Sequence, residues 1–140
     1  MADRVFVDTN LFVYADDLDA GAKRDRAQQL LRELIGDGRA VVSTQVLQEF
    51  FVIATRKLGV PADIARRKVE LMARLDLVQV RPDLVLSAID LHRLRSLSFW
   101  DALIVRSAVA ASCARLLTED MQHGEVIDGV RIENPFRDAG

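Results

Sequence analysis

The chain has 140 residues, half of them apolar and 29% charged, with a formal net charge of −2 and a single cysteine. This composition describes one globular unit over residues 1–140 with a substantial core, and it excludes a low-complexity chain and any internal disulfide. No apolar stretch is long enough to span a bilayer, and MADRVFVDT enters a strand pattern without the order of regions of a signal peptide, so a cytoplasmic protein with no membrane partner is expected.

Strand-like and helix-like patterns alternate along the chain, which predicts an α/β domain with a largely parallel sheet. A first strand over 4–8 leads into a short helix over 11–15, closed by the acidic loop DDLDAG. A helix over 22–35 carries Ala27, Leu30, Leu31, Leu34 and Ile35 at helical spacing and stops at Gly36 and Gly38. The strand over 40–43 is followed by a helix from Thr44 bearing Val46, Leu47, Phe50, Phe51, Ile53 and Ala54, and Pro61 opens a basic helix, PADIARRKVELMARL. After a strand over 77–80 and a helix over 83–94, the last helix begins beyond Ser98. It is apolar almost all the way round from Trp100 to Ala111, which marks it as central. Strands over 114–118 and 130–133 complete a sheet of about five. Cys113, in AVAASCARLL, reads as a small core residue.

Four carboxylates interrupt this pattern. Asp8 ends VFVD, Glu49 lies inside VLQEFF, Asp101 opens WDALIV and Asp120 follows RLLTE, and none has a lysine or arginine close by in sequence. A charge carried toward a low-dielectric wall costs several kcal/mol, on the order of the Born penalty after relaxation, unless it is paired or coordinates a metal. In a parallel α/β sheet ligands collect at the carboxyl ends of strands, which places Asp8 and Asp120 on one edge. Glu49, at the margin of an apolar stripe, leans over the same edge. No strand directly precedes the helix of Asp101, so connection logic leaves its position open. Each acid also has a structural alternative: Asp8 as an N-cap, Asp101 as part of a capping arrangement with Ser98, Glu49 as a boundary glutamate and Asp120 as a turn acid.

Taken in order, VDTN, QEFF, SFWDALIV and LLTEDMQHGE resemble the PIN-domain ribonucleases, specifically the VapC-type toxins of bacterial toxin–antitoxin modules, over nearly the whole chain. The resemblance implies a three-layer α/β/α sandwich with the acids in one cleft. It also implies metal-dependent endonucleolytic cleavage of RNA. The family's acidic positions map onto Asp8, Glu49, Asp101 and Asp120, and its polar helpers onto Asn10, Ser98 and Thr118. Glu119 beside Asp120 leaves open which of the two faces the metal, and the pattern favours Asp120. A cognate VapB-type antitoxin and a homodimer are the implied partners, with Phe12, Tyr14, Phe50 and Phe51 as positions for an antitoxin groove or for the core.

The chemistry agrees with these residue types. Carboxylates about 4 Å apart repel by roughly 4 kcal/mol at an effective dielectric near 20, which favours a hard cation between them. Oxygen-only ligands suit Mg²⁺ or Mn²⁺, and neither His92 nor His123 has a partner at zinc-binding spacing. Asp8 and Asp101 are the expected principal ligands, assisted by Asp120 and Glu49, while Thr9, Asn10 and Ser98 orient ligands or anchor phosphate. Taking the four acids from the 21 leaves 17 against 19 bases, so the rest of the chain tolerates a polyanion. The densest bases are Arg56, Lys57, Arg66, Arg67 and Lys68, an RNA path or a solvated helical face. Competing functions are a housekeeping RNA-processing nuclease and a non-catalytic binding module of the same fold. A phosphohydrolase of the haloacid dehalogenase type needs a second aspartate where this chain has Asn10.

Overall fold

A computed structural model describes residues 3–138, and among them six strands and six helices alternate as the sequence predicts. In chain order these are β1 (Val5–Val7), α1 (Thr9–Asp16), α2 (Ala22–Gly36), β2 (Ala40–Ser43), α3 (Thr44–Arg56), α4 (Ala62–Met72), β3 (Asp76–Val78), α5 (Pro82–Leu94), α6 (Phe99–Ala110), β4 (Arg115–Leu117), β5 (Val126–Ile127) and β6 (Val130–Glu133). The sheet order is β3-β2-β1-β4-β6-β5, parallel throughout except for the β5–β6 hairpin.

The inner strands VFV and AVVS are buried at every position, as a parallel sheet covered on both faces requires. The chain winds from β1 to β2 to β3 and then crosses back to β4 on the other side of β1. Right-handed crossovers therefore put α1 to α4 on one face and α5 and α6 on the other. The helix packing agrees: α1 meets α2 and α3, α3 meets α4, and α5 lies along α6. Helix α6 lies over β2, β4 and β6 and buries Ala102, Leu103, Ile104, Val105 and Ala108, the central position its apolar circumference predicts.

Most element ends shift by a residue or two from the sequence reading, and three departures have clear local reasons. Helix α1 starts at Thr9 rather than Leu11 because Asp8 caps it, its side chain accepting the Thr9 N–H. Strand β3 ends at Val78, since the Val80 N–H is taken by the Thr44 hydroxyl at 3.1 Å instead of by a ladder partner. The sixth strand, β5, is two residues long and too short for a periodic signal. Its turn carries a signature nonetheless: Asp128 and Gly129 have φ of 50° and 85°, the pair of positive values that an Asp-Gly hairpin turn supplies.

Candidate active site

Strand order reverses between β1 and β4, and the carboxyl ends of those two strands frame the crevice where open α/β sheets bind ligands. Asp8 stands at the end of β1. Its backbone N–H continues the ladder to the Leu117 carbonyl at 3.0 Å, while its carboxylate accepts the Thr9 N–H and the Thr118 hydroxyl, each at 2.7 Å. Only 4% of Asp8 is exposed, and burial, aided by repulsion from Glu49 and Asp120, raises its pKa to about 7 against the two hydrogen bonds that favour the anion.

Thr118 reaches a second acid as well. Its hydroxyl accepts the Asp120 N–H at 3.1 Å, so one buried side chain holds the Asp8 carboxylate and the backbone of Asp120. Asp120 in turn accepts from Asn10 Nδ2 at 3.2 Å, and the other amide atom, Asn10 Oδ1, is buried without a donor. Glu49 comes from α3, whose N-terminus is capped by Ser43. Gln45, one turn earlier on the same helix face, donates to Glu49 at 2.7 Å and to the Trp100 carbonyl at 3.2 Å, and the Thr9 hydroxyl reaches Glu49 at 3.4 Å. Burial pushes the Glu49 carboxyl up, and Asp120 and Asp101 add to the shift.

Asp101 takes the capping place that the sequence offered and also lies in the field of a second acid. Ser98 caps α6 and accepts the Asp101 N–H at 3.1 Å, as the capping alternative predicts. Its carboxyl is nevertheless raised, first by burial and then by Asp120. The four acids thus share one field with Asp120 in common, and among the described residues none of the four takes part in an ion pair. Nor, among those residues, do three acidic, histidine or cysteine side chains close into a ready-made metal cage.

Glu119 lines the same cleft as Asp8, Glu49 and Asp120 but, unlike them, is paired. It accepts from the Tyr14 hydroxyl at 2.5 Å and from Lys23 Nζ at 2.6 Å, with Lys23 also 5.1 Å from the Tyr14 ring centre. Burial opposes ionisation of Glu119, but those two hydrogen bonds and the Lys23 charge outweigh it and hold its carboxyl below the usual range. Asp120 bonds to Asn10 in the first turn of α1, while Glu119 bonds to Tyr14 further along α1 and to Lys23 on α2.

The basic residues divide. Arg56 and Lys57, at the end of α3, line the cleft of about 360 Å³ that also holds Asp8, Asn10, Glu49 and Asp120. Arg66 and Arg67 are paired with Glu70, and Lys68 with Asp16 at 3.1 Å; these three do not line that cleft. His123 is turned to the C-terminal segment, its Nδ1 accepting the Asn134 N–H at 3.0 Å. The expected aromatic groove also divides: Phe12 and Phe50 face a separate apolar cavity of about 430 Å³ beside Leu71 and Met72, whereas Tyr14 borders the carboxylate cleft. Two further residues, Gln45 and Lys23, hold the acids without belonging to any sequence motif. The i to i+4 spacing from Gln45 to Glu49 is a readable signal, but Lys23 is far from Glu119 in sequence and leaves none.

A doubly wound sheet with four uncompensated acids around its switch point defines an acidic-cleft α/β domain. The chain belongs to the PIN domain family, whose model matches residues 5–127. No curated protein matches it. Among solved structures it is similar to a toxin–antitoxin complex from Klebsiella pneumoniae, with 21% identity and a TM-score of 0.69 over 94% of this chain and 97% of that one. It is also similar to VapC20 of Mycobacterium tuberculosis, described as a sarcin–ricin loop cleaving toxin, with 21% identity and a TM-score of 0.63 over 80% and 86% of the two chains. VapBC2 from Rickettsia felis, solved with a DNA fragment from its promoter, matches with 19% identity and a TM-score of 0.65 over 93% and 97%. At these identities the likeness is one of fold, shared with toxins and toxin–antitoxin complexes that include VapC20 and VapBC2. Among the described residues no helix is long and apolar enough to cross a membrane.

Proposed function

We propose that residues 1–140 form a metal-dependent endoribonuclease, the toxin of a VapBC-type pair, which cuts RNA phosphodiester bonds at Asp8, Glu49, Asp101 and Asp120. The observation that carries this reading is the gathering of these acids around one switch point, with Asp8 buried, Glu49 and Asp101 half-buried and Asp120 at the surface, and with no lysine or arginine among the described residues paired to any of them. Burial disfavours the anions of Asp8, Glu49 and Asp101, and a cation held among them would offset that cost. The donors are all oxygens, and the buried, undonated Asn10 Oδ1 beside Asp120 adds a neutral one. That chemistry fits Mg²⁺ or Mn²⁺, and the open arrangement suits an ion that keeps waters of its own.

Asp8 and Asp101 would be the principal ligands, with Asp120 and Glu49 binding directly or through water. When bound, the ion supplies Lewis-acid activation of water and stabilises the charge developing on the phosphate. The chain's own groups do the positioning. Thr118 and the Thr9 N–H fix the rotamer of Asp8, Asn10 steadies Asp120, and Gln45 steadies Glu49. Arg56 and Lys57 lie where they would draw the phosphate backbone into the cleft. The structural neighbours found in toxin–antitoxin complexes support a VapB-type antitoxin as partner, and a homodimer in the cytoplasm completes the reading.

The test is incubation of purified protein with a mixed RNA pool in Mg²⁺, Mn²⁺ or EDTA, with mapping of the cut ends. Cleavage in either metal, none in EDTA, and none by a folded Asp8→Asn protein are expected. Equal metal-dependent cleavage by pure Asp8→Asn protein would sink the assignment.

A further inference from the structure

The chain has one tryptophan, and it lies on the surface. Trp100, in the first turn of α6 beside Asp101, is 63% exposed, although a ring of that size ordinarily adds most of its area to a core. Its place is set from two sides. Phe99 packs edge-on at a centroid distance of 5.0 Å and an angle of 76°. Gln45 binds the Trp100 carbonyl with the same amide nitrogen that holds Glu49. The ring borders an open cavity of about 490 Å³ whose other walls are Gln48, Glu49, Val52 and Ile53. Glu49, Val52 and Ile53 line both this cavity and the carboxylate cleft, so the two adjoin along α3.

Helix α3 orders the parts. Gln45, Glu49, Val52, Ile53 and Arg56 recur at spacings of three and four, so one helix face carries the amide under Trp100, the acid, an apolar patch and a cation over roughly 16 Å. A strand running along that face would meet the indole at one end, the acids in the middle and Arg56 with Lys57 at the other. The apolar part is one ring with Val52 and Ile53, about the extent of a planar base, and polar or charged groups flank it on both sides. Gln48, exposed at the rim, carries a donor and an acceptor for a base edge.

We propose that Trp100 is a stacking platform for an unpaired nucleobase of the RNA strand, on the side of the carboxylates opposite Arg56 and Lys57, with the Gln48 amide reading the edge of that base. The inference rests on the ribonuclease reading above and extends it to single-stranded RNA, whose bases are free to stack on aromatic rings.

Because Trp100 is the only indole, its own fluorescence is the probe. Asp8→Asn protein, which is expected not to cut, is titrated in Mg²⁺ with a short single-stranded RNA and with an abasic strand of equal length and charge. The RNA should quench the emission and the abasic strand should not. Trp100→Leu in the same background should bind the RNA on the order of ten-fold more weakly, with Trp100→Phe retaining most of the affinity. In the parent background Trp100→Leu should lower kcat/KM for RNA while leaving the melting temperature near that of the parent. Unchanged emission with RNA, or equal affinity of the Trp100→Leu protein, overturns the platform. So does a Trp100→Leu protein that binds RNA normally but loses a dimer or a protein partner, since the face is then a protein contact. Failure of the ribonuclease reading looks different: the parent protein leaves RNA uncut in both metals, and the inference falls with it.

Discussion

Burial governs the protonation of Asp8. Its carboxyl rises from 3.8 to about 7, mainly through desolvation, so at intermediate pH the folded protein holds a proton that the unfolded chain has released. The stability contributed by the protonated form is present below 3.8 and is lost as pH rises through about 7. Glu49 and Asp101 are shifted in the same direction, while Glu119, held low by Lys23 and Tyr14, works in the opposite one. In EDTA the melting temperature of the parent should therefore fall between pH 5 and pH 8 more steeply than that of Asp8→Asn. Thermal scans of the two proteins across that range decide the matter, and parallel curves would mean that Asp8 is ionised throughout.

The segment after β4 shows what an element can do that a single residue cannot. Its two adjacent acids diverge, Asp120 to Asn10 in the cleft and Glu119 to Tyr14 and Lys23 on the first two helices. Among the described residues Asp120 has no cationic partner, whereas Glu119 ties the segment down through Lys23. The tie is a partly exposed pair, with side-chain exposures of 30% and 25%, and such pairs contribute roughly 1 kcal/mol or less. Glu119→Gln keeps the size and a hydrogen-bonding oxygen, so it should lower stability by no more than that and leave RNA cleavage close to the parent's. Asp120→Asn should stop cleavage. Urea midpoints together with cleavage rates test the pair, and loss of activity in Glu119→Gln would transfer the metal-facing role to Glu119.

At the scale of the whole molecule the acids oppose folding unless something binds them. Removing one charge from the shared field should relieve repulsion, so Asp101→Asn without divalent ions should be at least as stable as the parent. A ligand that binds only the folded state stabilises it by RT ln(1 + [L]/Kd), about 2.7 kcal/mol at a hundred-fold excess over Kd. Mg²⁺ should accordingly raise the melting temperature of the parent more than that of Asp101→Asn. Equal shifts in differential scanning fluorimetry would leave Asp101 with only its position in the Ser98-capped turn.

Much of this arrangement was legible in the chain itself. The alternation of apolar strands with periodic helices determined an α/β fold, because those periods reflect which faces each element must bury. The apolar settings of Asp8, Glu49 and Asp101 flagged them as uncompensated. The pattern could not say where Asp101 lies, since α6 follows α5 rather than a strand, and only the crossing of α6 over the sheet brings its first turn into the field of Asp120. Nor could it separate Arg56 and Lys57 from Arg66, Arg67 and Lys68, and it favoured Asp120 over Glu119 without showing what Glu119 pairs with. Those distinctions depend on partners distant in sequence, Asp16, Tyr14, Lys23 and Asn10, which lie close only after the sheet has closed its crossovers. Local periodicity encodes burial, whereas the pairing of charges is a long-range contact that only the tertiary structure decides.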